Sequence, residues 1–323
     1  MQTTSLNTND YPKRPLASFI ITDKNVPATV LAECIKSITA LSLAANEREI
    51  IVVDDGSTVS PINELLGCSD EIVYVRQPHK GTAAARNAGM RISTGHFIQF
   101  LGGADTLVRA PYEHCLDITR YHDPEIVVFN KADKHTTKTP FTYDGPQTGG
   151  AFMKSNSIKA DPCTYIFKRS ILGSLTFDES LSFEDRFFTP QLFLRAERLF
   201  STSAEAVFES KAKEEKQEKQ DTSSAGKASA DLEKIIFQLQ SMLDTLPDTD
   251  KPAMNRQIAQ MTMDYLSRII KEGKASDADA AIERLKRKGL FPLPEQDYSM
   301  KYKLFRKTVG NRITRRVLSF FLK

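Results

Sequence analysis

Residues 49–57 have the sequence EIIVVDDGS, a short apolar run followed at once by two carboxylates, a glycine and a serine. An apolar run without polar alternation is typical of a strand that is buried on both faces of a sheet. Asp, Gly and Ser end strands because they favour tight turns. This stretch therefore predicts a buried strand with acidic side chains at its carboxyl end.

Similar apolar runs recur along the chain and alternate with helical patterns. The predicted strands cover 16–22, 49–53, 71–75, 96–101 and 125–129, with a further one at 165–167, and the predicted helices cover 30–41, 83–92, 111–121 and 186–199. Strands joined by helical crossovers form a mainly parallel sheet with helices on both faces, an α/β fold. Right-handed crossovers place the strand ends along one edge of the sheet, where ligands bind in open parallel sheets.

Composition excludes several classes of protein. The chain has 323 residues, of which 40% are hydrophobic and 26% charged, so it is neither disordered throughout nor low in complexity. No apolar run approaches the ~18–20 residues of a membrane span, and residues 1–14 lack the apolar core of a signal peptide. The four cysteines are dispersed without a CxxC pair, which favours a reducing compartment over a disulfide scaffold or zinc site.

Polar groups cluster at three of the predicted strand ends: Thr22-Asp23-Lys24-Asn25, Asp54-Asp55-Gly56-Ser57 and Asp105 after two glycines. Lys80 and Arg86 flank Gly81 near the start of a predicted helix, a setting that suits a diphosphate. Each group also has a plainer interpretation, as an ordinary turn, a surface charge or a helix cap. Their recurrence at neighbouring strand ends favours one shared ligand site.

The stretch 18–25, the segment EIIVVDDGS and the segment HKGTAAARNAGMRISTGHFIQFLGGADTL at 79–107 resemble a family 2 glycosyltransferase with a GT-A fold. That family has V-D-D-G-S, then G-x-x-x-A-R-N-x-G, then F-L-D-x-D-D. The resemblance continues through PCTYIFKRSIL at 162–172 and LTFDESLSFEDRFFTPQLFLRAERL at 175–199, so that it covers residues 16 to about 208.

The resemblance implies a role for each matching residue. Thr22, Lys24, Asp54 and Asp55 would line the pocket for the base and ribose of a nucleotide, and Arg86 would lie near its diphosphate or help to fix the Asp pair. Asp105 would hold Mg²⁺ or Mn²⁺ against the diphosphate, as a Lewis acid for the leaving group. Asp185 would be the catalytic base, with Glu184 beside it. Taken alone, Glu184-Asp185 equally suits an acidic pair at the start of a helix.

Two departures from the family pattern affect these expectations. Gly102 and Ala104 replace the first and third positions of the family's acidic run, so that Asp105 alone remains and cation affinity falls. Lys24 stands where many relatives have an aromatic side chain that stacks on the base.

Beyond residue 208 the resemblance ends. We predict a GT-A domain at 1–208, a charged linker or exposed helix at 209–231, a helical appendage at 232–297 and a basic amphipathic tail at 298–323. The net charge of the chain is +3, and residues 301–323 contain eight Lys or Arg and no acid, so the preceding 300 residues carry −5. Such a tail suits an anionic membrane surface, while a docking helix and, less so, nucleic-acid binding are the alternatives.

The resulting hypothesis is an inverting glycosyltransferase at the inner face of the membrane, in the cytoplasm. It would use a nucleotide sugar, with UDP favoured, and a glycan or lipid-linked acceptor in cell-surface polysaccharide synthesis, with no nucleic-acid partner. The alternative is a catalytically impaired GT-A relative that binds a nucleotide sugar or a partner protein. A Rossmann dehydrogenase is disfavoured, since no GxGxxG follows the first predicted strand.

Overall fold

A computed structural model describes residues 14–133, 140–210, 222–272, 275–311 and 314–315. It divides into two compact units. The first comprises Met1–Asp144, Pro162–Ser174 and Ser201–Lys213, and the second comprises Gly145–Asp161, Leu175–Phe200 and Glu214–Lys323. These units do not coincide with the predicted segments, because 145–161 and 175–200 pack with the C-terminal helices. The predicted segments 1–208, 209–231, 232–297 and 298–323 remain a prediction about domains.

The sheet of the first unit begins with four parallel strands in the order β3-β2-β1-β4. They are β1 (Ala17–Asp23), β2 (Arg48–Asp54), β3 (Ile72–Arg76) and β4 (Phe97–Gly102). The apolar side chains of β1 and β2 are buried along both faces, as their continuous apolar runs predict. This half of the sheet confirms the expected parallel arrangement.

The other half makes the sheet mixed. It contains β5 (Asp105–Leu107), β6 (Ile126–Ala132), β8 (Tyr165–Lys168) and β9 (Leu199–Glu209), with β7 (Tyr143–Gln147) paired to β9. Strand β8 is antiparallel to both β4 and β6, and β5 is antiparallel to β9. Apolar runs do not encode strand direction, so the sequence could not distinguish this arrangement from an all-parallel one.

Three helices pack in the first unit: α1 (Ala28–Thr39), α2 (Thr82–Ile92) and α3 (Arg109–Tyr121). Helix α2 approaches β1 closely, since a Cβ atom placed on Gly89 would lie 2.3 Å from Cγ2 of Ile20. Glycine is needed there because any side chain would push the helix off the strand. This contact fixes the height of α2 above the sheet.

The second unit is helical. Its helices are α4 (Gly149–Ser155), α5 (Glu184–Leu194), α6 (Thr222–Met242), α7 (Lys251–Glu272), α8 (Ala275–Arg287) and α9 (Met300–Val309). The predicted helix at 186–199 is too long, because α5 ends at Leu194 and β9 begins at Leu199. Helix α6 starts inside the segment predicted as a linker, of which residues 211–221 lie outside the described part of the chain.

Helix α9 lies within the predicted tail. Its Tyr302, Phe305 and Val309 are buried in the apolar core of the second unit, so this helix docks onto protein. On its other face, Met300 and Leu304 are 84% and 65% exposed. Residues 312–313 and 316–323 of the tail lie outside the described part. Within the described ranges no helix has the length and apolarity needed to cross a bilayer.

Candidate functional site

The strand register places the predicted polar strand ends side by side. Asp23 at the end of β1 is aligned with Asp54 at the end of β2. On the other side of β1, Thr22 is aligned with Gly102 at the end of β4. The structure thus brings the three strand ends to one edge of the sheet, as the parallel topology predicted.

Asp55 holds the loop that leads into α2. Its carboxylate accepts four hydrogen bonds, from Gln77 Nε2 (2.8 Å), His79 Nδ1 (2.7 Å), the backbone N–H of Lys80 (2.9 Å) and that of Gly81 (2.9 Å). Burial alone would raise the pKa of Asp55, but these hydrogen bonds outweigh it and lower the pKa. The ionised carboxylate therefore fixes the loop and the start of the helix.

Asp54 plays the same part within its own turn. It is fully buried and accepts hydrogen bonds from the Ser57 backbone N–H (2.7 Å) and the Tyr74 hydroxyl (2.7 Å), and Arg76 Nε lies 3.3 Å away. Burial favours the protonated form, yet these donors lower the pKa of Asp54 overall. Both carboxylates of the predicted pair thus shape the rim of the site.

Lys24 and His79 extend the network of Asp55 to the surface. Lys24 Nζ donates to His79 Nε2 at 2.8 Å, and His79 Nδ1 donates to Asp55 at 2.7 Å. A lysine ammonium can only donate, so Nε2 of His79 carries the lone pair and Nδ1 the proton. The sequence analysis assigned no role to His79, although it lies inside the quoted stretch 79–107.

Asp23 lies in the polar cluster at the end of β1, but no role was predicted for it. It is 1% exposed, and it accepts hydrogen bonds from the Val26 N–H and the Ser57 hydroxyl, each at 3.2 Å. Burial, with the neighbouring charge of Asp54, raises its pKa from 3.8 to about 6. The available signal was its place at a strand end, between the two residues, Thr22 and Lys24, that were assigned roles.

Asp105 does not fit the predicted metal site. Its side chain is 0% exposed, and one carboxylate oxygen accepts the Gly102 N–H at 2.7 Å. Gly102 and Ala104 supply no ligand atom on their side chains, and no group of three His, Cys, Asp or Glu in the described ranges could hold a cation. Magnesium prefers an octahedral set of oxygen ligands. The geometry instead makes Asp105 a support for the turn between β4 and β5.

The predicted diphosphate-binding side chains differ in exposure. Lys80 is exposed beside Gly81, whose φ of +99° favours glycine at the start of α2. Arg86 is only 9% exposed, and its guanidinium lies 5.9 Å from the ring centroid of Phe100. This contact places Arg86 in the packing between helix and sheet, so Lys80 is the cation of the two that faces solvent.

Glu184 and Asp185 belong to the second unit. Both lie in the first turn of α5, where negative charge is stabilised by the helix dipole. Glu184 is 8% exposed and Asp185 is half-buried. Their placement agrees with both interpretations given above, a catalytic base and an acidic helix start.

Comparison with known proteins matches a family model to the segment that contains the polar strand ends. A model of "Glycosyl transferase family 2" matches residues 18–169, which contain all three polar strand ends. Residues 18–169 belong to glycosyl transferase family 2. The fold agrees with this assignment, because solved GT-A glycosyltransferases are its structural neighbours.

The similar proteins include a biosynthetic protein and two solved glycosyltransferase-type folds. The minor teichoic acid biosynthesis protein GgaB of Bacillus subtilis is 22% identical over 61% of this chain and 23% of its own length. S. aureus TarS 1–349 in complex with UDP-GlcNAc has a TM-score of 0.58 at 15% identity, covering 91% of this chain and 90% of that one. The mannosyltransferase PcManGT of Pyrobaculum calidifontis, with GDP-Man and Mn²⁺, has a TM-score of 0.57 at 15% identity, covering 96% and 88%.

The chain spans less than two thirds of the curated relatives that it matches first, at 23%, 24% and 58% of their lengths. At 15% identity, the similarity to the solved structures establishes the fold and nothing further.

Proposed function

We propose that this protein is an inverting glycosyltransferase of cell-surface polysaccharide synthesis. It transfers a sugar from a nucleotide-diphosphate donor, with UDP favoured, to a glycan or lipid-linked acceptor. The observation that carries the proposal is the hydrogen-bond network of Asp55, His79 and Lys24. It holds residues of the family's sequence pattern together at the edge of the sheet. The name of GgaB and the UDP-GlcNAc complex of TarS support the acceptor and donor classes.

In this proposal the first unit binds the donor. Thr22 and Lys24 contact the base and ribose, while Asp54 and Asp55 hold the surrounding loops in place. Lys80 and the N-terminus of α2 attract the diphosphate, because a helix start carries partial positive charge. Arg86 supports α2 from within the packing and adds positive charge behind the helix start.

Transfer requires two changes of charge. Negative charge develops on the leaving diphosphate as the glycosidic bond breaks, and the ammonium group of Lys80 and the N-terminus of α2 stabilise it. The acceptor hydroxyl loses its proton as it attacks the anomeric carbon, and Asp185 takes that proton as general base. A single displacement inverts the anomeric centre. Glu184 adds negative charge beside Asp185.

The donor step proposed here does not pass through a metal ion. Mg²⁺ or Mn²⁺ was expected at Asp105, but that side chain is buried, its Oδ2 accepts the Gly102 N–H, and the described ranges contain no group of three metal-ligating residues. The same loss of acidic side chains supports the second candidate function, a catalytically impaired relative that binds a nucleotide sugar or a partner. A relative that binds a nucleotide sugar would share donor binding with the glycosyltransferase and differ from it in turnover.

One set of measurements tests the proposal. Full-length protein is screened by thermal shift against UDP and GDP sugars, in EDTA and in Mn²⁺, and sugar transfer or slow donor hydrolysis is measured in parallel. We expect a UDP-sugar to raise Tm equally in both buffers. Lys24→Ala should reduce that shift, whereas Lys36→Ala, an exposed lysine on α1, should not.

Turnover is tested with Asp185→Asn. We expect this variant to keep the donor-induced shift and to lose at least 100-fold in rate, the lower range for general-base catalysis. Donor binding without turnover in the unmodified protein would favour the impaired relative. No shift with any nucleotide would refute the glycosyltransferase and favour a relative that binds a partner protein, and a shift that EDTA abolishes would restore a metal to the site.

A further inference from the structure

The second unit contains a cavity of about 460 Å³. Its walls come from α5, α7, the first turn of α9 and the segment 157–161. All of these belong to the second unit, so the cavity is a feature of that unit alone. Arg186, which lines it, directly follows Asp185 in α5.

Charged side chains line this cavity with an excess of positive charge. Arg186 Nη1 donates to Asp264 Oδ2 at 2.8 Å, which neutralises both groups. The other charged side chains of the lining are two exposed cations, Lys159 and Lys301, and one acid, Asp161. Opposite charge is attracted to such a rim, so the lining favours an anionic ligand.

A buried amide in the same lining lacks a hydrogen-bond acceptor. Gln257 is 3% exposed, and in the part of the chain that the structure describes, its Nε2 has no hydrogen-bond partner. A buried donor without an acceptor carries a desolvation penalty that a ligand oxygen would relieve. By contrast, Gln260 Nε2 donates to Ser157 Oγ at 2.6 Å. Turning the amide of Gln257 toward a ligand oxygen would therefore break no bond of Nε2.

Apolar surface completes the lining. Met261, Met263 and Pro190 lie in the cavity wall beside the polar groups. Carbohydrates combine C–H faces, which pack on apolar side chains, with oxygens that accept hydrogen bonds. A ligand that also carries a phosphate would meet the ammonium groups of Lys159 and Lys301.

We propose that this cavity binds an anionic carbohydrate, a sugar or polyol phosphate, as a segment of the acceptor. The assignment to the acceptor depends on the proposed function, because only a glycosyltransferase has an acceptor to hold beside Asp185. The binding chemistry itself rests on Gln257, Lys159 and Lys301.

The experiment measures binding of glucose 6-phosphate, glucose and inorganic phosphate to the full chain by calorimetry, with UDP present to fill the donor site. We expect glucose 6-phosphate to bind more tightly than the other two. Gln257→Leu and Lys301→Ala should each weaken it at least fivefold. Lys307→Ala, an exposed lysine on the same helix but outside the lining, should leave the affinity unchanged.

Absence of binding, equal affinity for glucose, or equal weakening by Lys307→Ala would overturn the proposal. Lys301→Ala alters an exposed side chain, so it tests the site even if Gln257→Leu failed to fold. The UDP-induced thermal shift, measured on the same samples without the phosphate sugar, separates the two hypotheses. Variant-sensitive sugar phosphate binding without a nucleotide shift would uphold the cavity and refute the glycosyltransferase.

Discussion

Three buried carboxylates at adjacent strand ends differ because their hydrogen-bond donors differ. Asp54 and Asp55 accept enough hydrogen bonds to lower their pKa despite burial. Asp23 accepts two longer ones, and burial together with the charge of Asp54 raises its pKa to about 6. Several short hydrogen bonds stabilise a buried ionised carboxylate, whereas fewer and longer ones leave its ionised form destabilised by burial.

Asp23→Asn tests this difference. Because the folded pKa of about 6 lies above the ordinary 3.8, the native state binds the proton more tightly, and Asp23 lowers stability as pH rises from about 4 to 6. We expect the variant to gain ~3 kcal/mol over the unmodified protein at pH 7.5 and almost nothing at pH 3.5, since one pKa unit corresponds to about 1.4 kcal/mol. Urea unfolding of both proteins at each pH measures the gain. A constant difference across this range would contradict the raised pKa.

At the scale of elements, α2 connects the packing of the sheet with the candidate site. Gly89 lets the helix lie against Ile20. At the other end, Gly81 directly precedes the helix and donates one of the four hydrogen bonds that Asp55 accepts. Since α2 touches both the sheet and the loop 77–81, its height above β1 sets the position of that loop. The packing of one glycine thus bears on the geometry of the donor site.

Gly89→Ala should displace α2. The new Cβ atom would meet Ile20 Cγ2 at 2.3 Å, and overpacking of this kind costs about 1–3 kcal/mol, reduced by the ~1 kcal/mol better helix propensity of alanine. We expect a lower Tm and a smaller UDP-induced shift. Gly67→Ala is the matched control, since nothing lies within 4 Å of its Cβ position. Equal Tm values for the two variants would show that α2 tolerates the added methyl group.

At the scale of the whole molecule, basic side chains of the C-terminal region form ion pairs with acids of the second unit. Lys303 pairs with Asp297 at 2.7 Å, and Arg315 pairs with Asp279 at 2.6 Å. These pairs offset part of the positive charge of the tail. The exposed face of α9 still combines Met300 and Leu304 with Lys301 and Lys307, a composition that suits an anionic lipid surface.

Membrane binding is tested best without deleting α9, because its Tyr302 and Phe305 belong to the core. We propose that full-length protein co-sediments with phosphatidylglycerol vesicles in preference to phosphatidylcholine vesicles. Met300→Ser/Leu304→Ser should weaken that binding at least fivefold, since two apolar side chains lose their contact with lipid. Leu66→Ser, which alters a side chain 64% exposed in the first unit, is the control. Unchanged binding of the double variant would exclude α9 as the contact.

The sequence by itself determined the parallel half of the sheet, the polar strand ends and the family. Apolar runs such as 49–53 and turn residues such as Asp54-Asp55-Gly56-Ser57 act locally, so the printed sequence carries their signal. It also indicated roughly helical spacing over 298–323, but helical spacing does not tell whether the apolar face meets lipid or protein.

Only the tertiary structure decided what the polar residues do. Three properties depend on residues far apart in sequence: the burial of Asp105, the raised pKa of Asp23 and the hydrogen bonds that residues 77–81 donate to Asp55. The antiparallel β8 and the docking of α9 likewise depend on long-range packing. Residue type and spacing fix which groups can ionise or bind, but desolvation and hydrogen-bond partners, which exist only in the folded chain, fix whether they do.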